Sequence, residues 1–152
     1  MNRTTFRFVI ATAFLLPLIF VANVNSQQSS ELVADIPFNF TVCQDQMPAG
    51  KYKVFPIIGA NPRILLIRGE DNRSVEIICT LSNVQSSKPA AKGKLIFNSY
   101  GNKYFLSELW FDGASTGNQL VKTDEEQALV KELTAAKKRE KVTVTATEAK
   151  PN

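Results

Sequence analysis

Residues 94–111, KLIFNSYGNKYFLSELWF, decide the fold class, because two β-rich runs flank the dipeptide Gly101-Asn102. Glycine at the first central position of a two-residue connection marks a type II′ turn, whose twist suits two antiparallel strands. The turn sets a register: Tyr100 opposes Lys103, Ser99 opposes Tyr104, Phe97 opposes Leu106 and, with regular pairing throughout, Leu95 opposes Glu108. Alternation then places Leu95, Phe97, Tyr104, Leu106, Glu108 and Trp110 on one face. The other face carries Ile96, Tyr100, Phe105, Leu109 and Phe111. Both are too apolar to meet water, so one belongs to a core and the other needs a cover.

Further strand signals precede this hairpin, separated by turn chemistry. Residues 32–42 alternate, with Ile36, Phe38, Phe40 and Val42 on one side, and Pro37 marks an edge position or an irregularity. After the turn Pro48-Ala49-Gly50, Tyr52 and Val54 alternate with Lys51 and Lys53. Residues 63–68, RILLIR, are apolar on both faces, the pattern of a covered strand. In residues 75–81 the apolar face is Val75, Ile77, Cys79 and Leu81, and residues 82–93 form a long exposed loop.

The cover for the hairpin is the helix that begins at Thr123-Asp124-Glu125-Glu126, a capping box with Thr at the N-cap and Glu at N3. It extends near residues 124–140, with Leu129, Val130, Leu133 and Ala136 as its apolar stripe. Residues 142–152 read as a tail or a short edge strand. The expected fold is mostly β: an antiparallel sandwich or small open barrel of about six or seven strands with one C-terminal α-helix, in a single domain spanning 27–141.

Residues 1–26 stand apart as a signal peptide. Arg3 and Arg7 form a basic start, an apolar run follows over 8–21, and Val24 and Ser26 sit before Gln27 as at a cleavage site. The run is shorter than the roughly 20 residues that span a bilayer. No later stretch is long and apolar enough to span, so the mature chain is expected to be exported, to the periplasm or the extracellular space.

Composition narrows the function. There is no histidine among the 152 residues, which removes imidazole-based nucleophile systems and His-ligated zinc. The formal charge of +4 includes Arg3 and Arg7; without them the remainder is too small to imply a nucleic-acid partner. Lys137, Lys138, Arg139 and Lys141 read as cations at a helix C-terminus and in a solvated tail. Phosphate-loop, nucleophile-elbow and dinucleotide motifs are lacking, no cofactor is implied, and Asp112 alone gives the 112–117 loop too few acids for calcium. Export makes a disulfide between Cys43 and Cys79 accessible. Cys43 lies on the polar face of its strand or in the following turn, and a bridge requires that it has turned into the loop.

The pattern Ile36-Pro37-Phe38-x-Phe40-x-Val42, then Pro48-Ala49-Gly50-x-Tyr52-x-Val54, then Lys94-Leu95-x-Phe97-x-x-Tyr100-Gly101-x-x-Tyr104-Phe105-Leu106-Ser107-Glu108-x-Trp110 resembles a group of small exported β-domain proteins of soil bacteria with no assigned activity. The resemblance covers most of residues 31–140 and implies export and a compact β-fold, but no reaction. An exported non-catalytic domain with a structural or protein-interaction role, in the cell envelope or outside the cell, is therefore the first expectation. The alternative is a carbohydrate or small-ligand module that stacks its ligand on Tyr104 and Trp110 and anchors it with Glu108 or Asn98. Glu108, flanked by aromatics, is also the one strand carboxylate whose pKa an apolar pocket would raise toward that of a general acid; otherwise it is a rim glutamate paired with a nearby Lys or Arg.

Overall fold

The computed structural model describes residues 31–57, 63–133 and 140–149. The expected signal segment, most of the loop after Pro56 and the basic residues Lys137, Lys138 and Arg139 lie outside the described residues, as do the side chains of Cys79, Leu81 and Leu133. The described chain forms β1 (Leu32–Ile36), β2 (Phe40–Val42), β3 (Asp45–Met47), β4 (Gly50–Pro56), β5 (Ile64–Gly69) and β6 (Val75–Gln85). It continues as β7 (Lys94–Tyr100), β8 (Lys103–Trp110), β9 (Thr116–Leu120), α1 (Asp124–Leu133) and β10 (Glu140–Glu148).

The molecule is mostly β with a helix near its C-terminus, as the patterning predicts, but the described residues form ten strands rather than six or seven. They form one sheet in the order β3-β2-β8-β7-β10-β1-β4-β5-β6-β9. Because β9 also pairs with β8, through Glu108↔Gln119 and Leu109↔Asn118, the sheet curls back on itself into a nearly closed barrel. The N-terminal half of β8 takes β2 instead, in the one parallel pairing among the described strands, at Thr41↔Phe105. Closure gives β9, the end of that order, a second neighbour, so it is bonded to both β6 and β8.

Period-two patterning fills the interior. Leu32, Ala34 and Ile36 point inward from β1, Tyr52 and Val54 from β4, and Leu65 and Ile67 from β5. Phe97, Leu106 and Leu109 complete the opposite wall, and Phe40 meets Phe97 and Tyr52 edge to face at centroid distances of 5.4 and 5.2 Å. The Pro48-Ala49-Gly50 turn is pinned from two sides: the Tyr52 hydroxyl donates to the Pro48 carbonyl at 2.7 Å, and the Ala49 N–H donates to Asn39 Oδ1 at 2.9 Å.

Several expectations are corrected. The run 32–42 is two strands, because Pro37 ends β1; β1 then joins β4 and β10, while β2 crosses to β8. The segment expected as a tail or edge strand is β10, which lies inside the sheet between β1 and β7 and sends Val142, Val144 and Ala146 toward the core. On β6, the pairing Leu65↔Ile78 turns Ile78 inward, so Val75 and Ile77 lie outside, 46% and 53% exposed. The cover expected over RILLIR is likewise incomplete, since Ile64 and Leu66 are only half-buried on the outer face.

The hairpin holds its turn and the first half of its register. Gly101 has φ of 70°, where glycine is favoured, and Tyr100↔Lys103, Ser99↔Tyr104 and Phe97↔Leu106 pair as expected. Beyond them a β-bulge intervenes: Ile96 pairs with Glu108 and Leu95 with Leu109, leaving Ser107 as the extra residue. The slip rotates Leu109 into the core and carries Glu108 and Trp110 to the outer face.

Candidate functional site

The bulge builds a buried cluster on the outer face of the barrel. Trp110 is buried outside the sheet among Ala90, Ile96 and Val84. The loop before β7 roofs it, tied down by Ala90 N–H to Ala114 O at 2.9 Å and by Gly113 N–H to Ala90 O at 2.8 Å. Below the indole, Gly117 of β9 leaves the room it needs, since a Cβ there would run into the ring.

Glu108 lies beside Trp110 and is 6% exposed. Its Oε2 accepts from Trp110 Nε1 at 3.0 Å, and its Oε1 is 2.6 Å from Lys141 Nζ, which reaches over from β10. Lys94 Nζ sits 5.1 Å from the centre of the indole ring. Burial alone would raise the Glu108 carboxyl, but the hydrogen bonds from Lys141 and Trp110 and the charges of Lys141 and Lys94 outweigh it, holding the group below its ordinary value. The raised pKa expected of a general acid is thus reversed. The ion pair with a neighbouring lysine is the outcome.

A second buried carboxyl lies nearby. Thr123 caps α1 as the sequence predicts, its Oγ1 accepting from Glu126 N–H at 3.0 Å. The Glu126 side chain, 2% exposed, turns to the barrel, where its Oε1 accepts from Asn98 Nδ2 at 2.7 Å and Tyr100 Oη at 2.9 Å. Asn98 is 1% exposed, and its Oδ1 has no hydrogen-bond partner among the described residues. Tyr100 packs edge to face on Phe105, so the covered outer face of the hairpin is the one carrying Asn98, Tyr100 and Phe105. Leu129 and Val130, expected to supply the cover, are only half-buried, and the stripe's continuation at Ala136 lies outside the described residues.

The expected ligand surface is divided. Asn98, Glu108 and Trp110 share the outer face, whereas Tyr104 faces inward, half-buried and stacked on Phe38 at a centroid distance of 4.0 Å. Tyr104 instead borders a separate cleft with Asn39, Thr41, Gln46 and Asn102, closed on one side by the 2.7 Å ion pair of Lys103 with Glu125. Sequence reading missed this cleft because its residues come from three separated segments, and it missed Glu126 because a capping-box glutamate normally turns back to its own helix.

Cys43 occupies the β2–β3 turn with φ of 53°, and its Sγ approaches the Ile77 carbonyl at 3.7 Å. Beside it the Glu76 carboxyl is raised by burial and by hydrogen bonding and charge from Asp45. Among the described residues no cluster of three His, Cys, Asp or Glu could hold a metal ion, and no helix is long and apolar enough to cross a membrane. No family model, curated protein or solved structure matches the chain.

Proposed function

We propose that this chain is an exported, non-catalytic β-barrel domain with a structural or protein-interaction role in the cell envelope or outside the cell. One observation carries the non-catalytic part: the two buried carboxyls on the hairpin's outer face are committed to internal partners. Glu108 is bound to Lys141 and Trp110, and Glu126 to Asn98 and Tyr100. Groups held this way tie strands and helix together, and Glu108 stays charged where a general acid would need its proton. Support for export comes from the basic start and apolar run of residues 1–26 and from the resemblance to small exported proteins. The Cys43–Cys79 disulfide belongs to the same reading. Its support is that the β2–β3 turn brings Cys43 to Ile77, two positions from Cys79 on β6.

Intact-mass measurement on protein recovered from a secreting host tests this reading. The expected mass begins at Gln27, carries no lipid, and lacks the two thiol hydrogens until reduction. Retention of residues 1–26 overturns export, and unchanged mass on reduction overturns the disulfide. A hydrolytic turnover that Glu108→Gln abolishes overturns the non-catalytic role.

A further inference from the structure

The cleft beside Tyr104 is lined mostly by polar side chains. It is an open cleft of about 260 Å³ where the β1–β2 junction, the β7–β8 turn and the first turn of α1 converge. That is small beside most ligand sites and suits a single ring. Its polar lining is dominated by three carboxamides, Asn39, Gln46 and Asn102, with the Thr41 hydroxyl among them. A carboxamide donates and accepts at once, which matches adjacent hydroxyl groups that also do both.

Two features give the cleft fixed chemistry. Asn39 Oδ1 is engaged by Ala49 N–H, which sets the orientation of the amide and leaves its Nδ2 to donate. Tyr104 is braced by Phe38, which stacks on it at 19° between planes and itself meets Phe97 edge to face at 5.2 Å. The charges at the rim, Lys103 and Glu125, neutralise each other, so the site selects neither an anion nor a cation.

We infer that this cleft binds a neutral polyhydroxylated ring, a free sugar or the terminal residue of a glycan, through the carboxamides of Asn39, Gln46 and Asn102. The site does not depend on whether the chain is exported. It replaces the pairing of Tyr104 with Trp110, which face opposite sides of the sheet.

Titration of the isotope-labelled full chain, processed or not, with neutral monosaccharides and oligosaccharides, followed by amide NMR, tests the inference. Saturable shifts are expected at residues 39, 41, 46 and 102–104, with a Kd of about 1 mM or tighter. Gln46→Ala and Asn102→Ala, both exposed positions, should each weaken binding by about tenfold without changing the melting temperature. Tighter binding of oligosaccharides assigns the ligand to a glycan end, and equal binding assigns it to a free sugar. Shifts that map elsewhere, affinity unchanged in both variants, no saturable shift with any saccharide, or occupation of the cleft by phosphate alone overturn it.

Discussion

Lys141 turns Glu108 from a buried liability into an anchor between β8 and β10. A carboxylate at 6% exposure is costly unless paired, and here both oxygens are engaged. Lys141→Ala should cost about 1–2 kcal/mol at neutral pH, less than a fully buried pair because the Lys141 side chain is 51% exposed. The folded-state pKa of Glu108 is lowered, so this stability is present above the ordinary carboxylate range and disappears as pH falls through the folded value. Denaturation curves of the protein and the variant should therefore converge in acid. Glu76 has the opposite sign. Its folded pKa is raised, so it weakens the fold as pH rises through that value, and Glu76→Gln should raise the melting temperature at neutral pH with no gain in acid. A third residue effect is steric: Gly117→Ala should displace the indole and destabilise by about 1–3 kcal/mol. Trp110 is the only tryptophan, so a red shift in its emission reports the displacement directly.

Among the elements, α1 is held to the barrel by a polar clamp. Glu126→Ala would take the carboxylate acceptor away from Asn98 Nδ2 and the Tyr100 hydroxyl and break the tie between helix and hairpin, a loss of about 1–3 kcal/mol. Hydrogen exchange in the helix should rise more than in β7, because the strand keeps its neighbours β8 and β10. Equal protection of the helix in protein and variant would show that the half-buried Leu129 and Val130 hold it instead. The hairpin itself was readable from Gly101-Asn102 outward because turn geometry dictates the pairs next to it. The reading failed four pairs on, at Ser107, since a β-bulge needs no special residue type and follows from how both strands meet their further partners.

The barrel as a whole depends on a strand from the chain's far end. β10 joins β1 to β7 through Ala34↔Ala146 and Phe97↔Val142, and without it two long edges and the Val142, Val144 and Ala146 positions open to water. Removal of residues 140–152 should abolish the cooperative thermal transition seen by circular dichroism and drive aggregation, as unpaired edges do. A soluble truncated protein with an unchanged transition would restore the view of this segment as a tail.

Local chemistry made much of the chain legible: alternation in β1, β4 and the first half of β8, the turns at Gly101 and Pro48, the Thr123 cap, and the mostly β class with a late helix. Each depends on residues within a few positions of one another, where backbone dihedrals and side-chain period act directly. The face shown by Trp110, the inner place of β10, the outward turn of Val75 and Ile77 and the partners of Glu108 and Glu126 were not legible in this way. They follow from contacts between residues far apart in the chain, such as Lys141 with Glu108 and Glu126 with Asn98. A closed sheet allows only registers that satisfy every neighbour at once, so one extra residue at Ser107 settles which side of the wall Glu108 and Trp110 occupy.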